Sequence, residues 1–378
     1  MFPMYLYKYN GLLSLITFMV LSCSATAEEP QRIMNPQEHY NGLITETEPL
    51  PSEYRQLSSA QGEVITVSYS TKEYADGTMA GRTNNACVYI PFGYDSNPEQ
   101  RYNILYLVHG HYGTYSTYLS FDNGLLKNVL DNMIERGDIP PMIVVTPSYN
   151  YGQPTSNYVD ADKYCEALTQ ELLNDLMPLI ESRYRTFAEN TDPIGLENSR
   201  EHRAIGGFSM GGVTTWYAFE HLLPQIKYFI PISGDCWSLG TFAGMNRPRE
   251  TAEYLAGVTK NNANKDFYIW AASGTNDSAY NETLVQIEAM ADIQDIFNLS
   301  NLSFHEKSGA RHEYGPTVEY LYNALPFFFA KDTDSSGISP TKKNPTSTDN
   351  VSYSIGGRRL RGDEKGIHIK NGKKIIIK

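Results

Sequence analysis

The residues with the clearest chemical potential are Gly207-Phe208-Ser209-Met210-Gly211, a Gly-x-Ser-x-Gly pattern near the middle of the chain. An apolar, strand-like stretch precedes the pattern and a helical stretch follows it, so Ser209 would lie on the sharp turn between them. Glycine on both sides of the serine removes side chains that would collide in such a turn. The helix N-terminus that follows favours negative charge as it develops. The pattern therefore predicts that Ser209 is the nucleophile of an acyl-transfer reaction.

A serine hydroxyl needs a general base, and the base needs an acid that orients it. In enzymes with this strand–turn–helix arrangement the acid and the histidine follow the serine in that order, on loops after late strands. Asp277 and His312 occupy such positions, and we expect them to be the acid and the base. Asp235, one strand earlier, stays an alternative acid. The histidines expected to be structural are His109, His202, His221 and His305.

A tetrahedral intermediate also needs two backbone N–H groups directed at its oxygen. We expect Met210, directly after the nucleophile, to supply one. The second should come from the loop after the predicted strand 104–108, which reads His109-Gly110-His111-Tyr112-Gly113, and His111 is the expected donor through its backbone. Two neighbouring histidines could suggest a metal ion, but no third ligand follows in phase. We therefore expect neither a metal site nor a cofactor.

These residues need a scaffold that places the ends of several strands side by side. Strand-like apolar runs alternate with helical spacing between residues 62 and 330, which predicts an α/β domain with a mostly parallel central sheet and helices on both faces. The first two strands have no helix between them and should form an antiparallel N-terminal hairpin. Pro178 should kink the end of its helix. The predicted strands are 64–69, 86–90, 104–108, 142–146, 203–206, 228–232, 266–271 and 302–305, and the predicted helices are 125–134, 164–180, 213–222, 283–297 and 318–329.

The segments outside this domain differ in composition. Residues 1–27 are typical of a signal peptide, with a short apolar run and a cleavage site after Ala25-Thr26-Ala27. A lipid anchor at Cys23 is the alternative. Residues 28–61 are expected to be a flexible lead-in, 331–350 a linker, and 351–378 a short β-like tail. These features predict a secreted or cell-surface protein without stable membrane insertion.

The overall charge limits the partners of the protein. The formal net charge is −12, and an acidic protein repels phosphate backbones, so nucleic acid is not an expected partner. A polysaccharide or a small ester fits this charge. Cleavage after Ala27 would leave Cys87, Cys165 and Cys236, which we expect to be small buried hydrophobic residues. One disulfide bond between two of them is the alternative, and the sequence does not assign its pairing.

Taken together, the chain resembles carbohydrate esterase family one, the feruloyl and acetyl-xylan esterases of the wider esterase D-like group. The resemblance covers about residues 62–330 and implies an α/β-hydrolase fold, with the family's nucleophile, acid and base at Ser209, Asp277 and His312. His111-Tyr112 departs from the smaller residues common at that place in the family. The matching pieces are Val88-Tyr89-Ile90-Pro91, Ile104-Leu105-Tyr106-Leu107-Val108-His109-Gly110, Met142-Ile143-Val144-Val145, Ala204-Ile205-Gly206-Gly207-Phe208-Ser209-Met210-Gly211-Gly212, Gly274-Thr275-Asn276-Asp277-Ser278 and His312.

The tail resembles the short C-terminal sorting domains of proteins exported by type IX secretion. The residues that carry this resemblance are Tyr353-Ser354-Ile355-Gly356-Gly357-Arg358-Arg359-Leu360, Lys365-Gly366-Ile367 and Asn371-Gly372-Lys373-Lys374. It implies contact with an export machinery and favours soluble cleavage after Ala27 over lipidation.

From the family resemblance we expect hydrolysis of feruloyl or acetyl esters on plant hemicellulose, in two steps through an acyl-enzyme. Trp237 and Tyr112 are the expected substrate-binding residues, Trp237 by stacking on a sugar or an aromatic ring. A tryptophan of the apolar core is the equal alternative for Trp237. Three alternatives are left open. They are an esterase for another small ester, such as a siderophore lactone or a thioester, a non-catalytic glycan-binding relative, and a peptidase.

Overall fold

The structure, a computed structural model, describes residues 42–151 and 155–329, and the backbone of four short strands between residues 352 and 377. The predicted signal peptide, with Cys23, and the predicted linker lie outside the described residues. Of the cysteines that are described, Cys87, Cys165 and Cys236 are all free and buried, as expected of small core residues. Within the described ranges, no helix is both long enough and apolar enough to cross a membrane.

The central sheet has nine strands in the order β1-β9-β8-β7-β6-β4-β5-β3-β2 within the described chain. All neighbours from β1 across to β5 are parallel, whereas β3 is antiparallel to both β5 and β2. This confirms the mostly parallel sheet and the antiparallel N-terminal hairpin. The strands are β1 Ile44–Glu46, β2 Glu63–Lys72, β3 Gly81–Ile90, β4 Asn103–Val108, β5 Met142–Thr146, β6 Arg203–Phe208, β7 Tyr228–Ile232, β8 Tyr268–Gly274 and β9 Leu302–Lys307.

Each face of the sheet packs against its own apolar core. In β4, Ile104, Tyr106 and Val108 belong to one core, and Leu105 and Leu107 belong to the other. This explains why the central strands are continuous apolar runs rather than alternating patterns. The helices are α1 Thr117–Ser120, α2 Leu125–Arg136, α3 Tyr158–Glu171, α4 Met177–Arg183, α5 Pro193–Asn198, α6 Met210–Leu222, α7 Ala243–Asn246, α8 Pro248–Asn261, α9 Tyr280–Ala291 and α10 Tyr314–Ala324.

Part of the predicted lead-in is folded, which corrects the expectation of a flexible segment for residues 42–61. Strand β1 pairs in parallel with β9, and a short 3-10 helix, Ser52–Arg55, follows it. Leu43, Leu50 and Tyr54 are buried. A strand of three residues is too short to show a two-residue period, so the sequence carried no signal for it.

Several helices also differ from the prediction, and the longer ones show how. The helix predicted at 283–297 ends at Ala291, and α8 was not predicted at all. The long helix predicted from residue 164 begins at Tyr158 and is interrupted by a π-helical turn, Leu172–Leu176, directly before α4. Pro178 is the second residue of α4, so the irregular turn lies where proline was expected to disturb the helix.

The tail contains a second, four-stranded antiparallel sheet in the order β11-β10-β12-β13. Its strands are β10 Ser352–Ser354, β11 Arg359–Leu360, β12 Gly366–Lys370 and β13 Lys373–Ile377. The backbone thus agrees with the predicted β-like tail. Its proposed role in export stays a prediction.

A buried arginine fixes the start of the strand that leads to Ser209. Arg203 is the first residue of β6, and its Nε and Nη2 donate to the two carboxylate oxygens of Glu181, both at 2.7 Å. The other three N–H groups donate to the carbonyls of Leu196 and Gln225 and to the hydroxyl of Ser199. All five guanidinium donors are therefore satisfied, which is what a buried arginine requires.

Replacing Glu181 by glutamine should destabilise the fold strongly. The charge of Arg203 would stay buried without its partner, and losing one member of a buried pair costs about 3–5 kcal/mol. Urea unfolding measures this free energy. Glu253→Gln is the matched control, because Glu253 pairs with Arg249 at 3.0 Å with both side chains mostly exposed, and water screens such a pair. Equal effects of the two substitutions would contradict the anchoring role of Arg203.

Candidate active site

Ser209 lies on a strained turn between β6 and α6. Its backbone has φ 56° and ψ −116°, a positive-φ conformation that costs a residue with a side chain about 1–3 kcal/mol. Hydrogen bonds on both sides hold it: Ser209 N donates to Ile232 O at 2.9 Å, and Val213 N donates to Ser209 O at 3.0 Å. The side chain of Ser209 is thereby placed at the end of β6, ahead of the helix N-terminus.

The two glycines of the pattern allow this turn to pack against β4. A Cβ atom on Gly207 would lie 2.5 Å from the carbonyl oxygen of Val108, and one on Gly211 would lie 2.0 Å from the same oxygen. Backbone atoms on both sides would have to move to admit any side chain. The spacing of the two glycines around Ser209 is therefore a steric requirement of this contact between the turn and the end of β4.

The structure brings the three residues predicted for catalysis together. His312 Nε2 lies 2.9 Å from Ser209 Oγ, and His312 Nδ1 lies 2.7 Å from Asp277 Oδ1. Asp277 follows β8, and its Oδ1 also accepts the N–H of Ala279 at 2.8 Å. The side chain of Asp277 is 1% exposed, whereas that of His312 is 32% exposed. With the Nδ1 proton held by Asp277, Nε2 faces the serine hydroxyl as an acceptor.

The alternative acid, Asp235, is engaged elsewhere. Its Oδ1 accepts the indole N–H of Trp237 at 2.6 Å, and its Oδ2 accepts the N–H of Met245 at 2.9 Å. Burial raises its pKa to about 6. These contacts favour a structural role for Asp235 in the loop after β7.

Trp237 differs from the expectation of a stacking platform. It is 3% exposed and lies in one of the two apolar cores, with Phe242 at a centroid distance of 4.7 Å. An indole covered to this extent offers no open face to a sugar ring, so this prediction is corrected. Tyr112, by contrast, belongs to the loop after β4 and is 84% exposed. Its ring contacts that of His111 edge-on.

Three of the histidines expected to be structural pack against an aromatic ring or lie close to a carboxylate. His305 stacks on Trp270 at 4.0 Å, and His202 stacks on Phe187 at 3.5 Å. His221 lies 3.6 Å from a carboxylate oxygen of Glu166. In the part of the chain that the structure describes, no group of three or more His, Cys, Asp or Glu side chains could hold a metal ion.

Two side chains hold the loop that carries the expected second oxyanion donor. The N–H of Gly110 donates to the hydroxyl of Tyr314 at 2.8 Å. Burial lowers the pKa of His109 to about 4, so its ring is neutral near pH 7. Its Nδ1–H donates to Gly110 O at 2.7 Å, and its Nε2 lies 2.7 Å from Ser148 Oγ. Tyr314 was missed in the sequence, although it lies only two residues after His312.

Glu282, in the first turn of α9, was also missed. Burial raises its pKa to about 7, and the nearby carboxylate of Asp235 adds to this, whereas His312 acts in the opposite direction. A carboxyl group that changes charge near neutral pH therefore lies within electrostatic reach of the base. The sequence feature that could have pointed to Glu282 is its position five residues after Asp277.

Known proteins match this chain in both sequence and fold. The sequence model of the family described as "Putative esterase" matches residues 77–316. Endo-1,4-beta-xylanase Y of Acetivibrio thermocellus is 36% identical over 288 residues, which are 74% of this chain but only 24% of that protein. The chain thus matches about a quarter of the length of this relative.

The solved structures agree with the sequence match. A feruloyl esterase module from Clostridium thermocellum, complexed with sinapinate, is 34% identical with a TM-score of 0.65, covering 76% of this chain and 94% of that one. A ferulic acid esterase from the anaerobic fungus Anaeromyces mucronatus, 20% identical with a TM-score of 0.55 over 75% of this chain and 97% of that one, shares the fold. The chain belongs to this esterase family, within carbohydrate esterase family one and with the α/β-hydrolase fold.

Proposed function

We propose that this protein is a serine esterase that removes feruloyl groups, or acetyl groups, from plant hemicellulose. The observation that carries the proposal is the hydrogen-bonded series from Asp277 through His312 to Ser209 on a strained strand-to-helix turn. The substrate class comes from the relatives, one named a xylanase and one a feruloyl esterase module seen with sinapinate. Because that polymer is extracellular, we also propose secretion after cleavage at Ala27.

In the proposed reaction His312 Nε2 takes the proton of Ser209 Oγ while the oxygen attacks the ester carbonyl. Asp277 keeps Nδ1 protonated and stabilises the imidazolium that forms. The backbone N–H groups of Met210 and His111 stabilise the oxyanion, aided by the N-terminus of α6. His312 then gives its proton to the departing sugar alcohol, and a water molecule activated by the same imidazole releases the free acid.

Exposed Tyr112 is proposed to contact the substrate at the mouth of the site. Its ring is 84% exposed and follows directly on the proposed oxyanion donor. A large, rigid ring with a polar end suits either an aromatic acyl group or a sugar.

Ser209→Ala should abolish esterase activity. Loss of the nucleophile should lower kcat by at least about 10⁴-fold, since the remaining site can only bind and polarise the ester. Release of ferulate from feruloylated arabinoxylan and of acetate from acetylated xylan measures activity and decides between the two acyl groups. A fluorophosphonate should label the wild type and leave the variant unlabelled. Labelling without release of either acid would favour a different ester, such as a lactone or a thioester.

Asp277→Asn should lower kcat by about 10³–10⁴-fold, because an amide in place of the carboxylate no longer selects the productive tautomer of His312. Asp235→Asn is the matched control, since its two oxygens bond Trp237 and Met245, and its kcat should stay within about tenfold of the wild type. Steady-state kinetics on methyl ferulate compares the two. A larger loss in the Asp235 variant would make Asp235 the acid.

The same control variant should reveal the raised pKa of Asp235 in stability measurements. The folded-state pKa of about 6 lies above the ordinary value of 3.8, so the folded protein binds this proton more tightly than the unfolded chain. Its stabilising contribution is complete below about pH 4 and is lost as the pH rises through about 6, by about 3 kcal/mol. Denaturant unfolding of wild type and Asp235→Asn should therefore diverge across this window. Parallel pH profiles would contradict the shift.

A further inference from the structure

A polar groove of about 400 Å³ lies beside the loop that carries His111. We call it the Tyr151 groove. The residues of its lining that matter below are Arg82, Tyr151, Thr155, Asp160, Lys163 and Tyr164. None of these takes part in the proposed chemistry at Ser209.

The groove opens at the same edge of the sheet as the active site. Tyr151 follows β5. Arg82 is the second residue of β3, which runs antiparallel to β5, so both residues lie beyond the C-terminal end of β5. Thr155 Oγ1 lies 3.4 Å from Nδ1 of His111. The groove therefore begins at the oxyanion loop, on the opposite side of β6 from the loops that carry Asp277 and His312.

Two tyrosine rings form the most rigid part of the lining. The rings of Tyr151 and Tyr164 meet edge to face at a centroid distance of 6.1 Å. The guanidinium of Arg82 lies 4.5 Å from the centre of the Tyr151 ring, and the ammonium of Lys163 lies 5.2 Å from that of Tyr164. Half-buried rings held in this way keep their orientation, so their free surfaces are prepared for a flat partner.

The composition of the lining indicates a sugar rather than an acyl group. Among the described residues, the eight side chains of the lining are all tyrosine, amide, hydroxyl or charged, and none of them is Leu, Ile, Val, Met or Phe. Such a surface supplies many hydrogen-bond donors and acceptors for hydroxyl groups, together with ring surfaces for the C–H face of a sugar. The apolar ring of a hydroxycinnamoyl group would find little apolar surface to bury.

The charges favour a neutral occupant. Arg82 forms an ion pair with the buried carboxylate of Glu73, and the lining holds both Lys163 and Asp160. The two cations are therefore balanced by two carboxylates. An anionic chain would meet the carboxylate of Asp160 without a surplus of positive charge to hold it.

We propose that the Tyr151 groove binds the neutral pentose chain to which the ester is attached. It thereby makes the protein prefer esters on a polysaccharide over the same ester on a small alcohol. The proposal rests on the proposed function, since it assigns the sugar side of that substrate. Tyr164 contributes a ring surface, and Asp160 and Thr155 contribute hydrogen bonds.

The test compares two substrates that carry the same acyl group. We expect Tyr164→Ala to lower the ratio of kcat/KM for a feruloylated arabinoxylan oligosaccharide to kcat/KM for methyl ferulate by about tenfold, mainly through KM, since one lost stacking contact is of that size. Tyr164→Phe keeps the ring and should keep the ratio. Phe92→Ala is the control for removal of an aromatic ring, because Phe92 is 61% exposed beyond the other end of β3 and should leave the ratio unchanged.

Direct binding separates this proposal from the proposed function. Calorimetry with xylo-oligosaccharides that carry no ester should show binding to the Ser209→Ala protein and about tenfold weaker binding when Tyr164→Ala is added. The thermal unfolding of the Tyr164→Ala variant is first compared with that of the wild type. If the variant is folded, an unchanged ratio of kcat/KM values would overturn the groove assignment. Sugar binding that Tyr164→Ala leaves intact would overturn it as well. Failure of the wild type to cleave any feruloyl or acetyl ester would instead contradict the proposed function, and the binding experiment would still decide on the groove.

Discussion

The close contact between the Ser209 turn and the end of β4 is the constraint on which the rest of the site depends. Two glycines approach the same carbonyl oxygen of Val108 to within distances that no side chain permits. This contact places the start of α6 against the beginning of loop 109–113, which is proposed to carry the second oxyanion donor. The strain at Ser209 is retained because the strand before it, the helix after it and the neighbouring strand are all fixed by packing. The buried guanidinium of Arg203 fixes the other end of β6.

Burial limits the negative charge in the region of His312 and Asp235, because it favours the neutral form of carboxyl groups there. Asp277 bonds His312, and Glu282 lies within electrostatic reach of His312, Asp277 and Asp235. An ionised Glu282 would therefore be repelled by both aspartates. Burial raises the pKa of Asp235 to about 6 and that of Glu282 to about 7. Of these three side chains, Asp277 is the one that bonds the imidazole. The environment thus assigns different roles to neighbouring carboxyl groups through solvation as well as geometry.

For a common reason, the sequence predicted the central strands and the three side chains that the structure brings together at Ser209. A strand buried on both faces must be apolar throughout, as in β4 and β5, and a serine on a sharp turn requires glycine nearby. Features that depend on distant partners were missed. Strand β1 is an edge strand of three residues whose only signal is its pairing with β9. Trp237 was a candidate for stacking on a substrate ring, but it donates a hydrogen bond to Asp235 and packs against Phe242 in the core.

The order of the strands also separates the residues proposed for catalysis from those proposed for sugar binding. Asp277 and His312 reach Ser209 from the loops after β8 and β9, whereas loop 109–113 and the Tyr151 groove lie at β4, β5 and β3. Residues on the second side can therefore change without moving Asp277 or His312. The hairpin of β2 and β3 belongs to that side, since it brings Arg82 to the groove and Glu73 to Arg82. The N-terminal hairpin pairs antiparallel with β5, so the start of β3 reaches the edge where the parallel strands end. This topology allows the proposed polysaccharide site to lie beside the Ser209 site on separate strands.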